Sequence, residues 1–235
     1  MKVKHIFKEL FSQFYLKIKS GPLRGKKWIA TSGGKFIKGE HEPYKSEAIV
    51  KHFDKGEIFY DIGAHIGYFS AIAAMINDGA GMVIAFEPRP MNARFFRRHI
   101  KKNNFKGVTL YEAAVGEEEK MVLFDTSWGS ATGRVSDRGK LEVRQVSIDR
   151  LVEKGEIPLP TFVKIDVEGG EIEVIKGLRD VIEKARPKMV VATHNDECHR
   201  FVTEFLRLHN YSFEILNPGR VKGDTEIIAL PGKIN

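Results

Sequence analysis

The chain has a single cysteine, Cys198. One thiol excludes an internal disulfide framework and any Cys-x-x-Cys zinc pattern, so Cys198 reads as an ordinary helix residue. The histidines at His5, His41, His52, His99, His199 and His209 lack metal-ligand spacing, and no metal is expected. No apolar run is long enough to cross a bilayer. Lys8 and Glu9 interrupt the basic start "MKVKHIFKELFSQFYLKIKS" where a signal peptide needs an apolar core, which predicts a cytoplasmic protein. Internal repeats and low-complexity linkers are missing too. So is the interleaving of aromatic and basic residues that marks an RNA-binding module.

What is present fits one domain with an arm. At 235 residues the chain can bury a sizeable core. Its net charge of +7 permits a nucleic acid, an anionic membrane surface or an acidic substrate, and chooses none of them. Phe7, Leu10, Phe11, Phe14, Tyr15 and Ile18 recur at helical spacing with lysines between them. This predicts a helix that docks on its own domain, with weak peripheral membrane contact through residues 1–19 as the other reading. The run "YLKIKSGPLRGKKWIATSGGKFIKGEHEPY", from Tyr15, reads as a small hairpin with Gly21-Pro22 and Gly33-Gly34 as turn signals between short alternating runs, and a short helix follows over 45–53. Residues 1–53 thus read as a helix and hairpin packed on a main domain, 54–235.

From Ile58 the pattern alternates. Strands are expected at Ile58–Ile62, Met82–Glu87, Val108–Glu112, Thr161–Asp166 and Lys188–His194, with helices over Gly67–Asn77, Pro90–Asn104, Gly170–Gly177 and Asn195–Asn210. Met121–Asp125 and Leu141–Ile148 read as a hairpin. The link between the last two strands, Tyr211–Asn217 and Glu226–Leu230, is too short for a crossover helix, so they should be antiparallel neighbours. The fold class is therefore α/β, a mostly parallel sheet with one antiparallel strand near its edge.

The stretch "IFYDIGAHIGYFS", residues 58–70, carries the first chemical signal. Ligands of open α/β sheets bind at the carboxyl ends of the strands. Gly63 lets the backbone leave the strand, and Gly67 allows close helix packing and ligand approach. Asp61 is placed to accept from a ligand ammonium. The dinucleotide fingerprint needs a third, middle glycine. Ala64 and His65 stand there instead and would crowd a pyrophosphate, while His65 lines the turn or caps its helix. Glu87 ends the second strand, where an acid accepts both hydroxyls of a ribose. A ribose acid without phosphate contacts points to S-adenosylmethionine rather than NAD. A tight turn with a solvated acid is the bland alternative. Glu112, Ala113 and Ala114 end the third strand, where an adenine would lie, though plain strand termination explains Glu112 equally. Trp128 and Ser130 are placed to close over the cofactor, though hairpin packing explains Trp128 equally.

A second cluster lies in "FVKIDVEGGEIEVIKG", residues 162–177. Asp166 ends an apolar strand, and Glu168 and Glu171 crowd it. Helix capping is an even contender for Glu171. Crowded carboxylates shift one another's pKa, which suits a general base or a grip on a cation. His194 ends the next strand on the same edge and is a second candidate base, with a structural role at even weight.

At these residues the chain resembles the FkbM family of S-adenosylmethionine-dependent methyltransferases. "DIGAHIGYFS", "FEPRPMNARFFRRHIKKNN", "AAVGEEE", "VSIDRL" and "VKIDVEGGEIEVIKG" occur in the family's order, with "GPLRGKKW" and "KGEHEP" upstream. The resemblance implies a class I (Rossmann-like) fold of seven strands with the last antiparallel. It implies that Asp61, Gly63, Ala64 and Gly67 form the methionine-end loop and that Glu87 holds the ribose. It matches Asp166 and Glu168 to the family's Asp-x-Glu-Gly signature, and Glu42 to an acid that faces substrate or cofactor. His65 stands where the family often has asparagine. Ala192 and Thr193 stand where it usually has a glutamate near the histidine. The expected activity is methylation of a hydroxyl on a sugar or small molecule, with Asp166, Glu168 and His194 as catalytic residues. Methylation of RNA or protein, and cofactor binding without catalysis, are the alternatives; an NAD-dependent oxidoreductase is disfavoured.

Overall fold

The computed structural model describes residues 11–127, 133–217 and 224–233. Trp128 and Ser130 lie outside them, as do residues 1–10 of the expected first helix.

The described part of that expected helix is not helical beyond a single tight turn at Phe11–Gln13. Tyr15–Lys17 is a strand, β1, paired antiparallel with β2, Lys27–Ile29. Tertiary pairing overrides the helical spacing here. Ile18 is buried, while Phe14 and Leu16 stay exposed, so no helical apolar face is satisfied. The hairpin is pinned by Trp28, fully buried and stacked on His99 with ring centroids 3.7 Å apart. His99 Nε2 accepts the Ile29 N–H at 3.0 Å, so its proton sits on Nδ1, which donates to the Ile66 carbonyl at 2.9 Å. Burial pushes the His99 pKa down to about 3, and the ring stays neutral. Two helices follow, α1 (Gly34–Lys38) and α2 (Pro43–His52). The sequence reading gave Gly33-Gly34 as a turn only and missed α1.

The alternation from Ile58 becomes β3 (Ile58–Ile62), α3 (Tyr68–Asn77), β4 (Met82–Phe86), α4 (Pro90–Lys102) and β5 (Val108–Tyr111). A side sheet interrupts it, made of β6 (Ala114–Val115), β7 (Lys120–Asp125), β8 (Arg134–Val135) and β9 (Leu141–Val146) in the order β6-β9-β7-β8. The expected hairpin is the antiparallel β7–β9 pair. Its second strand stops at Val146, and Ile148–Glu153 is a helix, α5. The main pattern resumes with β10 (Phe162–Ile165), α6 (Glu171–Lys176), α7 (Arg179–Ala185), β11 (Lys188–His194), α8 (Asp196–Leu208), β12 (Tyr211–Ile215) and β13 (Asp224–Pro231).

Seven strands form the main sheet in the order β12-β13-β11-β10-β3-β4-β5. β13 runs antiparallel to both its neighbours, and the remaining neighbour pairs are parallel. This is the architecture expected from the short final link. Helices cover both faces, so the central strands are apolar on both sides except for Asp61 of β3 and Lys164 of β10, which are buried as a pair. Phe59 and Phe162 stack across β3 and β10 at 5.3 Å, with Phe53 of the N-terminal segment edge-on to both. Each such side chain contributes about 1.5–3 kcal/mol by leaving water. The strand order reverses between β3 and β10. Their carboxyl ends, Gly63 and Asp166 onward, meet there and open a crevice.

A candidate active site at the strand ends

Gly63 follows β3 with φ +77°, and a Cβ there would lie 1.9 Å from the Asp166 carbonyl oxygen. Only glycine lets the two chain ends cross so closely. Gly67, φ +86°, is required for a different reason than ligand approach. A Cβ there would meet the Phe96 ring at 2.6 Å, so the residue sets the packing of α3 on α4. Between them His65 adopts φ 50° and turns its N–H to Glu87 Oε2 at 2.8 Å.

Glu87 is 5% exposed. Its other oxygen accepts from Arg89 N–H at 2.9 Å and Asn92 Nδ2 at 3.1 Å. Burial pushes its pKa up to about 7, against the lowering effect of these hydrogen bonds. Glu87 lines a cleft of about 230 Å³ with Gly63, His65, Ala113, Ala114 and Asp166. Phe124 and Val135 of the side sheet close the cleft's outer wall.

Two residues expected at the ligand, Glu112 and Asp61, are not among those lining the cleft. Glu112 is exposed and turns to Arg97, 2.5 Å away, outside the cleft lining. Asp61 is fully buried and is not among the cleft-lining residues. Its Oδ2 accepts from Ser70 N–H at 3.0 Å and Ser70 Oγ at 2.6 Å, and its Oδ1 lies 3.0 Å from Lys164 Nζ. Lys164 Nζ in turn donates to the Gly63 carbonyl at 2.7 Å. Asp61 therefore shapes the turn through Ser70 and Lys164.

The other end of the crevice is a charged network. Asp166 Oδ2 is 2.5 Å from Lys45 Nζ, brought from α2. Lys45 is 2% exposed and also meets Glu42 Oε2 at 2.6 Å. On the other side His194 Nε2 is 3.4 Å from Asp166 Oδ1 and 3.7 Å from Glu168 Oε2. His194 Nδ1 meets Glu171 Oε1 at 2.7 Å, and Glu171 is fully buried. Sequence reasoning missed Lys45 and Lys164. The lysine inside the apolar run "FVKID" and the Glu42–Lys45 spacing on one helix turn were the available signals.

Burial opposes every charge in this network, and the neighbours overcome it. Burial alone would raise the Asp166 pKa, but Lys45, Lys164 and His194 hold it well below the usual carboxylate range. Burial would lower Lys45, yet Asp166 and Glu42 raise it. Burial would lower His194, but the Glu171 hydrogen bond and the Asp166, Glu171 and Glu168 charges raise it to about 9. At neutral pH the imidazole is thus a cation that donates on both nitrogens. Glu168 is raised, mainly by burial.

A smaller cavity of about 60 Å³ adjoins the cleft and shares Gly63, His65, Asp166 and Glu168 with it. Ala64, Tyr68, Phe69, Glu42 and Lys164 line it as well. The ligand atoms of Asp166, Glu168 and His194 lie within 4.8 Å of one another, close enough to share a metal ion. Cys198 is buried, with Sγ 3.6 Å from the Gly169 carbonyl.

Residues 61–213 match the family model of the methyltransferase FkbM domain. The chain is 28% identical over 188 residues to the hexuronic acid methyltransferase AglP of Haloferax volcanii, covering 78% of this chain and 74% of that protein. It is 27% identical over 155 residues to methyltransferase 1 of Beauveria bassiana, covering 56% of this chain and 62% of that one. Among solved structures, the FkbM methyltransferase of Methylobacillus flagellatus shares the fold, with a TM-score of 0.56 and 23% identity. That match covers 76% of this chain and 44% of that one. No helix among the described residues is long and apolar enough to cross a membrane. The chain belongs to the FkbM methyltransferase family, and it is an S-adenosylmethionine-dependent methyltransferase of the class I fold.

Proposed function

We propose that the protein methylates a hydroxyl oxygen on a sugar or other small polar acceptor. In this reading Glu87 accepts the ribose hydroxyls, Ala113 and Ala114 pack on the adenine, and the turn of Gly63, Ala64 and His65 runs under the methionine end. The observation that carries it is the continuity of the crevice. One cleft runs from the alanine wall past Glu87 to Asp166, so an adenosine at one end directs its reactive end to the acids at the other. When bound, S-adenosylmethionine supplies an already activated methyl group. The protein's main work is alignment of acceptor and methyl. Asp166, kept ionised by Lys45, accepts the hydrogen bond of the acceptor hydroxyl. Glu168 lines both cavities beside it, and the His194 cation holds the two carboxylates apart from bulk water and in register.

The likeness to an archaeal hexuronic acid methyltransferase supports a sugar acceptor. Transfer of radiolabelled methyl to a panel of sugars, uronic acids, lipids and RNA tests this reading. Label on a carbohydrate hydroxyl is the expected result. Label only on RNA or protein, or on nothing, would reject it.

A further inference from the structure

We propose that the β1–β2 hairpin and the outward side of α4 form one cationic surface that docks the protein on an anionic phospholipid membrane. The proposal is independent of the methyl-transfer reading. The sequence placed weak membrane contact on a helix through residues 1–19; the structure builds the surface instead from two segments distant in sequence.

Charge is the first argument. Residues 11–38 hold seven lysines and arginines and no acidic residue, and residues 88–111 hold seven more and again no acid. Together they carry twice the chain's net charge of +7, so the rest of the chain is net negative. The fold packs the two segments against each other. Trp28 stacks on His99, and Asn103, just past α4, exchanges two hydrogen bonds of 2.8 Å with the Lys27 backbone. Lys102 Nζ sits 4.9 Å above the Tyr15 ring, and Lys26 Nζ 5.3 Å from the centre of the Phe105 ring. Arg98 reaches across to donate to Tyr15 Oη at 3.2 Å and to Ser12 Oγ at 2.7 Å. Cations from both segments therefore line one seam.

These charges also repel one another. Lys17 and Lys27 stand directly opposite in the β1–β2 ladder, and both are exposed. Like charges so placed destabilise a strand pair. Arg94, Arg97, Arg98, Lys101 and Lys102 repeat the conflict along α4, where like charges four residues apart oppose the helix. The helix dipole favours cations in the last turn, but it accounts neither for Arg94 nor for the hairpin. Arg97 is answered by Glu112. Lys17, Lys27, Lys101 and Lys102 meet no carboxylate among the described residues. An external anionic surface relieves a repulsion that the fold leaves standing. Apolar exposure says which surface. Leu16, between Tyr15 and Lys17, is 50% exposed, and Phe14 is 54% exposed. The phosphate backbone of a nucleic acid matches the cations but offers Leu16 no apolar contact. A membrane matches both, because lysine stems let the ammonium groups reach lipid phosphates while an apolar side chain enters the acyl boundary.

The test is co-sedimentation titration of the full chain with vesicles of phosphatidylserine and phosphatidylcholine in equal parts, and with phosphatidylcholine alone. Binding to the mixed vesicles only is expected, weakening steeply as salt rises. Each lysine near such a surface is worth about fivefold, so Lys17→Gln/Lys27→Gln should weaken binding about 25-fold. It also removes the facing charges, so its thermal midpoint should not fall. Leu16→Ser should weaken binding about fivefold or more. The control Lys120→Gln/Lys154→Gln removes the same charge from lysines paired with Glu118 and Glu119, and should bind as the unaltered chain does. Far-ultraviolet circular dichroism checks that each variant is folded. No binding to the mixed vesicles, unchanged affinity in folded Lys17→Gln/Lys27→Gln, or equal weakening in both double variants overturns the proposal. Tighter binding to a duplex RNA than to the mixed vesicles overturns it as well and makes nucleic acid the partner.

Discussion

Glu87 and Asp166 stand at opposite ends of one cleft, and both are carboxylates taken largely out of water. Glu87 is met by three neutral donors, two of them backbone N–H groups. Asp166 is met by a lysine and an imidazolium. Burial pushes both pKa values up. Neutral donors leave Glu87 near 7, whereas full charges carry Asp166 below its ordinary range. The Glu87 end can therefore change its charge around neutral pH, while the Asp166 end stays ionised. The two ends should accordingly respond to mutation and to pH in different ways.

The largest difference should come from Lys45→Met. It strands Asp166 and Glu42 without their cation, and breaking a buried pair from one side costs about 3–5 kcal/mol. The partial exposure of Glu42 places the loss toward the low end. Urea unfolding should show that loss, whereas Glu87→Gln, which removes no charge partner, should cost much less. Equal losses would erase the distinction between the two ends.

Next in size is Glu87→Ala. Hydrogen bonds to a charged group are worth about 1.5–3 kcal/mol, so S-adenosylmethionine affinity should fall about 10–100-fold by calorimetry. Unchanged affinity would refute the ribose assignment.

A smaller effect is the pH response of Glu87. Its folded pKa is raised from 4.5 to about 7. The fold favours the neutral acid, so this contribution to stability is complete below 4.5 and is lost as pH rises through about 7. Ribose hydroxyls favour the ionised acceptor. Over the same interval the ligand-free protein should lose stability while cofactor affinity rises by about tenfold. Both slopes should vanish in Glu87→Gln; a slope that persists belongs to another group.

The smallest effect is expected at Glu112. An exposed ion pair with Arg97 is worth about 0–1 kcal/mol, so Glu112→Gln should leave cofactor affinity and stability almost unchanged. A clear loss of affinity would return Glu112 to the adenine.

The same contrast explains what could be read from the sequence. The Glu87 end is local. Gly63, Glu87, Ala113 and Ala114 each sit at the end of a strand whose apolar run is plain, and the sheet order puts those ends side by side. The Asp166 end is non-local. Lys45 and Asp166 are 121 residues apart, and the Glu42–Lys45 spacing at the start of α2 signals a helix-turn ion pair but not that the lysine reaches Asp166. Asp61 shows the limit of position alone. It sits at a strand end as ligand-binding acids do, but its side chain points to Ser70 and Lys164, and only coordinates tell the two apart. The β1–β2 pair is the hairpin legible from Tyr15 onward, and its pairing with Lys27–Ile29 outweighs the helical spacing that runs on to Ile18. The short helices α5 and α7 have too few turns to show a period.

The account turns on the cleft being an S-adenosylmethionine site with Glu87 on the ribose. Parallel calorimetric titrations of the full chain and Glu87→Ala with S-adenosylmethionine and with NAD test this directly. Binding of one S-adenosylmethionine per chain, weakened in the variant, with no binding of NAD, is the predicted result. Binding of NAD without S-adenosylmethionine would contradict it.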